Sequence, residues 1–220
     1  MQSVAVHEIG HALGFSVMSW PLFRDDAGTA RTQREPLARP SMWPKTLNNY
    51  YCPAGVKRAS WSVENTITSP SGCKVDPPQF SESATKIGKD QAPCTFEIST
   101  PNVANQAKKH FKCGTLTGVP LENQPTTDCV LLGSHWEQRA LLGELMTSTT
   151  TNSGSSYLSA LTLAVFQDSG WYNANFSAAT PHENPPLAWG LGAGCDFMKK
   201  PCLVNGKVNV KVAGRPHYCR

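Results

Sequence analysis

Near the start of the chain, His7-Glu8-Ile9-Gly10-His11 sets two imidazoles four residues apart with a carboxylate beside the first. Residues four apart on a helix are neighbours on one face, so both rings can reach a single ion. A zinc ion takes such nitrogens at about 2.0–2.1 Å. Glu8 borders the same cleft, placed to accept a proton from a zinc-bound water and not to bind the metal. A catalytic zinc site keeps three protein ligands and one open position. The third ligand must therefore come from elsewhere, and His110, His135, His182, His217 and a carboxylate all remain open.

The elements that must position these groups are few. Residues 1–20 read as a helix, with Val4, His7, His11 and Phe15 on one face and Gly14 ending or bending it. Residues 21–100 are rich in Pro, Ser, Thr and Gly and show little periodicity, which predicts a long irregular insertion with short strands at best. Pro101 to Phe111 reads as a short helix with Val103, Ala104, Ala107 and Phe111 on its apolar side, and residues 112–134 return to loop. Ser155 to Asp168 is the next helix, with Tyr157, Leu158, Leu161, Leu163, Val165 and Phe166 apolar and Gly170 as its stop. Residues 178–220, rich in Pro, Gly and Cys, read as the start of a disulfide-held region.

Composition sets the compartment and excludes some partners. Only 16% of residues are charged, against roughly a quarter in an average globular domain, which suits a loop-rich extracellular protein. The net charge is +4, but its cations are scattered singly or in pairs such as Lys108-Lys109, so no nucleic-acid surface is predicted. No apolar run reaches the ~18–20 residues of a membrane span. The cysteines lie at 52, 73, 94, 113, 129, 195, 202 and 219, none in a C-x-x-C pair, which points to disulfides and an oxidising compartment. Asn175-Phe176-Ser177 is an N-glycosylation sequon. The chain opens without a charged leader or cleavage site and runs straight into His7, which predicts a fragment of a longer protein.

The metal motif extends as His7-Glu8-x-x-His11-x-x-Gly14, the metzincin pattern up to its glycine, which lets the chain turn away so that a third ligand can approach from below. Val17 stands where that pattern places its third histidine. Among the open candidates His135 is favoured. Met146 follows it in Gly143-Glu144-Leu145-Met146-Thr147, and metzincins carry a methionine turn shortly after the third ligand.

These segments together resemble the leishmanolysin branch of the metzincins, in which a long insertion separates the glycine from the third histidine. His7 through Ser16 looks like its active-site helix. Gly133-Ser134-His135-Trp136-Glu137 and Glu144-Leu145-Met146 resemble its third-ligand segment and methionine turn. Tyr157 through Trp171, the stretch from His110 to Leu116, and Trp189 to Phe197 also match. The similarity is expected over residues 1–20 and about 99–220, with residues 21–98 unaligned.

The resemblance implies an α+β, metzincin-like zinc protease, loop-rich and disulfide-bonded. It would be the lower part of a catalytic domain without the family's N-terminal sheet subdomain. The catalytic core would span 1–177, incomplete at its N-terminus and carrying the insertion 21–98. Residues 178–220 would begin a truncated Cys-rich C-terminal domain. One Zn2+ would sit on His7, His11 and His135, with Glu8 as general base and Met146 as an apolar floor. A Cys113–Cys195 disulfide is implied, with Cys202 and Cys219 pairing farther on, and His110 becomes a surface or loop histidine. The implied activity is endopeptidase cleavage of extended polypeptides at the cell surface or after secretion, linked with adhesion to host or matrix. The competing readings are a catalytically inactive surface or adhesion module and a non-functional truncated product.

Overall fold

A computed structural model describes residues 2–34, 46–51, 57–61, 63–68, 95–122, 133–149, 156–180, 189–200, 203–204 and 207–208. His182, His217 and the six cysteines other than Cys113 and Cys195 lie outside them.

The first helix, α1 (Gln2–Ala12), is shorter than the 1–20 helix expected. Gly14 takes φ 120°, a left-handed-side conformation that side-chain-bearing residues rarely adopt, and a Cβ there would meet the Trp171 ring at 2.6 Å. The chain therefore leaves the helix and turns inward. Phe15, Trp20 and Phe23 become fully buried as edge-to-face aromatic neighbours around a short 3-10 turn, Trp20–Leu22. Val4, Val6 and Ile9 of α1, and Leu13 just after it, are exposed.

The insertion contains short strands, as expected. β1 (Thr46–Tyr51) and β2 (Lys57–Trp61) form an antiparallel hairpin. β3 (Ile67–Thr68), β4 (Glu97–Ile98) and β5 (Val119–Pro120) form a three-stranded antiparallel sheet in the order β3-β4-β5. Its register sets Ile98 between Ile67 and Val119, and all three are buried. β5 falls within 112–134, which was expected to be loop throughout.

Helix α2 (Pro101–Phe111) spans the residues predicted. Pro101 opens it, where a missing N–H costs nothing. Its first turn is capped from another helix: buried Asp168 accepts from the Val103 backbone N–H at 3.0 Å and from Asn102 Nδ2 at 2.8 Å. Asp168 ends the longest later helix, so this carboxylate ties the two helices together. That helix was expected from Ser155. After the four-residue α3 (Gln138–Leu141), it forms α4 (Ala160–Asp168) and starts only at Ala160. Ser159 caps it by accepting from Thr162 N–H, while Tyr157 forms a parallel bridge with Glu144 instead.

Phe111, Val103, Ala107, Leu161, Ala164 and Val165 join the two helices in one apolar core that also takes in Trp136 and Met146. Helix α5 (Gly194–Lys199) adds Phe197 to it, and a hairpin of β6 (Leu203–Val204) and β7 (Lys207–Val208) follows. The Cys113–Cys195 disulfide joins the end of α2 to the start of α5 with Cα atoms 4.8 Å apart.

His110 differs from expectation. In the last turn of α2 it is buried, and its Nε2–H donates to the Trp189 carbonyl at 3.0 Å. It is a core histidine satisfied by backbone, and it stands apart from the histidine cluster.

Candidate metal centre

Three histidines from two distant parts of the chain meet at one point. His7 and His11 project from α1 as the i, i+4 spacing requires. His135 arrives from the segment before α3. Its carbonyl accepts from Glu122 N–H at 3.0 Å, and Leu121 bridges Trp136, so the strand direction of β5 carries His135 into place. The Nε2 atoms are 3.0 Å apart for His7 and His11, 3.2 Å for His11 and His135, and 3.3 Å for His135 and His7.

What each ring does with its other nitrogen fixes the chemistry of this triangle. His7 Nδ1 donates to the Leu145 carbonyl at 2.6 Å. His11 Nδ1 donates to the Phe15 carbonyl at 2.7 Å, a partner that exists because Gly14 turns the chain back under the helix. His135 Nδ1 donates to the carboxylate of buried Glu122. A neutral imidazole carries one N–H, so with all three protons on Nδ1 the three Nε2 atoms are bare acceptors. Three lone pairs converging at this distance cannot hydrogen-bond one another. They can hold a metal ion. Burial holds the His11 imidazole below its ordinary pKa, opposed by the Phe15 carbonyl bond.

The other predicted site residues fall around this cluster. Glu8 is exposed, and with His7, Leu145, Thr147 and Thr149 it lines a cleft of about 160 Å³ beside the histidines. Met146 is fully buried beneath α1, where a Cβ on Gly10 would lie 2.5 Å from its Sδ. The methionine turn and the helix thus touch where the helix has no side chain. Asn175 is exposed on a short 3-10 turn, its Oδ1 accepting from Ser177 N–H and Oγ–H.

Two carboxylates in this region have no role in the sequence-based reading. Glu122 lies next to loop residues with no pattern to single it out. Glu144 sits inside the quoted methionine-turn motif, yet nothing in that motif assigns it a partner. It is fully buried. Burial pushes its carboxyl up from the ordinary range, while hydrogen bonds from Thr162, Met146 and Ser159 pull it back.

A sequence model of the leishmanolysin family matches residues 82–211, more than half of the chain. This chain belongs to the leishmanolysin family. A leishmanolysin-like peptidase of Drosophila pseudoobscura pseudoobscura is 38% identical over 200 residues, covering 91% of this chain and 25% of that protein. One from Caenorhabditis briggsae is 39% identical over 202 residues, covering 92% of this chain and 26% of that protein. A ciliated left-right organizer metallopeptidase of Mus musculus is 31% identical over 194 residues, covering 87% of this chain and 20% of that protein. The chain spans about a quarter of the length of the curated leishmanolysin-like relatives it matches. With 91% of this chain covered, the relationship reaches into 21–98, a segment expected to stay unaligned. The family match itself contains His135, Met146, Cys113 and Cys195, and begins well after His7, Glu8 and His11.

Proposed function

We propose that this chain carries the zinc-binding half of a metalloendopeptidase active site, with His7, His11 and His135 as the ligands of one Zn2+ and Glu8 as general base. The observation that supports it is the triangle of bare Nε2 atoms. A tetrahedral zinc with bonds of about 2.0–2.1 Å holds its nitrogen ligands about 3.3–3.4 Å apart, close to the spacing of this cluster. The donor set fits as well, since neutral imidazole whose Nδ1–H is engaged is a common form of histidine zinc ligand.

When bound, zinc supplies Lewis-acid polarisation and brings the pKa of a coordinated water toward ~7. The chain's own residues do the rest. Leu145, Phe15 and Glu122 hold the three rings in the tautomer that presents Nε2. Glu8, on the helix turn that bears His7, takes the proton of the attacking water and returns it to the leaving amine. Met146 is an apolar floor with no chemical step of its own. The substrate would be an extended polypeptide laid along the cleft beside His7 and Leu145. The Cys113–Cys195 disulfide supports a secreted or cell-surface location, with Asn175 as a glycan acceptor and adhesive contacts as a further role.

The test is zinc content of the purified chain, with His135→Ala and Glu8→Ala beside it. One zinc per chain, loss in His135→Ala, and zinc without peptide hydrolysis in Glu8→Ala are expected. Turnover by Glu8→Ala would end the role given to Glu8. Zinc in a parent chain that cleaves no peptide in any context would favour the surface or adhesion module.

A further inference from the structure

We infer that Glu144 is a positioning residue of the metal centre, a single buried carboxylate that braces both the carbonyl orienting His7 and the segment carrying His135. This rests on the zinc reading above. Glu144 Oε2 accepts from the Met146 backbone N–H at 2.6 Å. Oε1 accepts from Thr162 Oγ1 at 2.6 Å, from Ser159 Oγ at 2.7 Å and from the Ser159 backbone N–H at 3.1 Å.

Two of the four partners are backbone N–H groups, which can only donate. The Ser159 hydroxyl accepts from Thr162 N–H, the Thr162 hydroxyl accepts from Trp136 Nε1–H at 2.9 Å, and each keeps its own proton to turn to Glu144. A carboxylate with no proton on either oxygen accepts all four.

Both arms lead to ligands. Leu145 lies between Glu144 and Met146, and its carbonyl takes the His7 Nδ1 proton. The Leu145 carbonyl and the Met146 N–H share one planar peptide unit, so tethering that N–H to Glu144 fixes the direction of the carbonyl. On the other arm, Thr162 links Glu144 to Trp136, the residue after His135, and Trp136 N–H donates to the Met146 carbonyl at 2.9 Å. The carboxylate is fully enclosed, so no water competes for these bonds.

Glu144→Gln tests this with little change of shape. With its oxygen toward Ser159 and Thr162, the Gln amide turns an N–H at the Met146 N–H, and two donors cannot bond. Zinc affinity, measured by chelator competition on the full chain, is expected to fall about 10–100-fold. The visible absorption bands of the Co2+-loaded chain should shift as well. A bond that matters to stability alone would lower the melting temperature and leave those bands as in the parent. A folded Glu144→Gln chain with parental zinc affinity and parental Co2+ bands overturns the proposal and leaves the zinc reading intact. If Glu144→Gln does not fold, Thr162→Val, which cuts only the arm to Trp136, is read in the same assay. Shifted Co2+ bands support the proposal and parental ones overturn it. A parent chain that takes up neither metal overturns the zinc reading, and this proposal with it.

Discussion

The charge at Glu122 is spent on one proton. Its carboxylate is buried and accepts from His135 Nδ1, which makes His135 the histidine of the cluster with the strongest acceptor behind it. Such a partner raises the basicity of the ligand nitrogen and fixes the ring. Glu122→Gln keeps the size of the side chain and removes the charge, so zinc binding should weaken by about 10–100-fold in a chelator competition, with the fold retained. Unchanged affinity would show that the backbone alone orients His135. His11 makes a second argument at this scale. Burial lowers its pKa below 6.5, so in the metal-free chain the unfolded state takes up this proton first as the pH falls. Stability is then full above 6.5 and is lost as the pH drops through that value toward the lowered folded one. The melting temperature of the metal-free chain should fall from about pH 7.5 to about pH 5, and less steeply in His11→Ala.

At the scale of elements, α1 matters for what it lacks at Gly10. The methionine turn packs against that bare patch of helix, which brings the Leu145 carbonyl within reach of His7. Alanine is the better helix former by about 1 kcal/mol, but its methyl would stand 2.5 Å from Sδ of Met146, which is fully buried and must shift within the core to make way. The clash should win. Gly10→Ala is expected to destabilise the chain by about 1–3 kcal/mol in a denaturant titration. Shortening Met146 in the same chain should recover part of that loss, and a neutral or stabilising Gly10→Ala would mean that the turn and helix are less closely packed than described. The helix ends where it does for a related reason. Gly14 turns the chain so that Phe15 offers its carbonyl to His11 and its ring to the core, so helix end, orientation of the His11 ring and core packing share one residue.

At the scale of the whole molecule, long-range links tie the described residues together. Asp168 locks α4 to α2, and the Cys113–Cys195 bond closes a loop of 82 residues that contains His135 and the methionine turn. Closing so long a loop restrains the unfolded chain, and loss of such a bond costs about 2–5 kcal/mol. A Cys113→Ser, Cys195→Ser pair should therefore melt lower, and reducing agent should destabilise the parent but not the double variant through this bond. Equal stability of parent and variant would remove the disulfide from the frame.

The parts of this protein that depend on nearby residues were legible in its sequence. His7 and His11 share a helix face by spacing alone with Glu8 beside the first, Pro101 marks the start of α2, and Gly14 marks the end of α1 even though the helix ran shorter than its apolar pattern suggested. His135, Met146 and the Cys113–Cys195 pair were legible only through family resemblance, because nothing local says that His135 will meet a helix 124 positions earlier. Tertiary structure alone decided the remainder. Glu122 reaches His135 because β5 and a backbone bridge bring two loops together, and no periodicity encodes that meeting. Residues 156–159 have the apolar character of a helix, but the bridge from Tyr157 to Glu144 and the cap by Ser159 hold them extended. His110 is polar by type and buried by context, because the Trp189 carbonyl satisfies its ring. Sequence fixes which groups can do chemistry when a helix turn joins them. Contacts between segments far apart in the chain decide which nitrogen each histidine of the cluster presents and what holds it there.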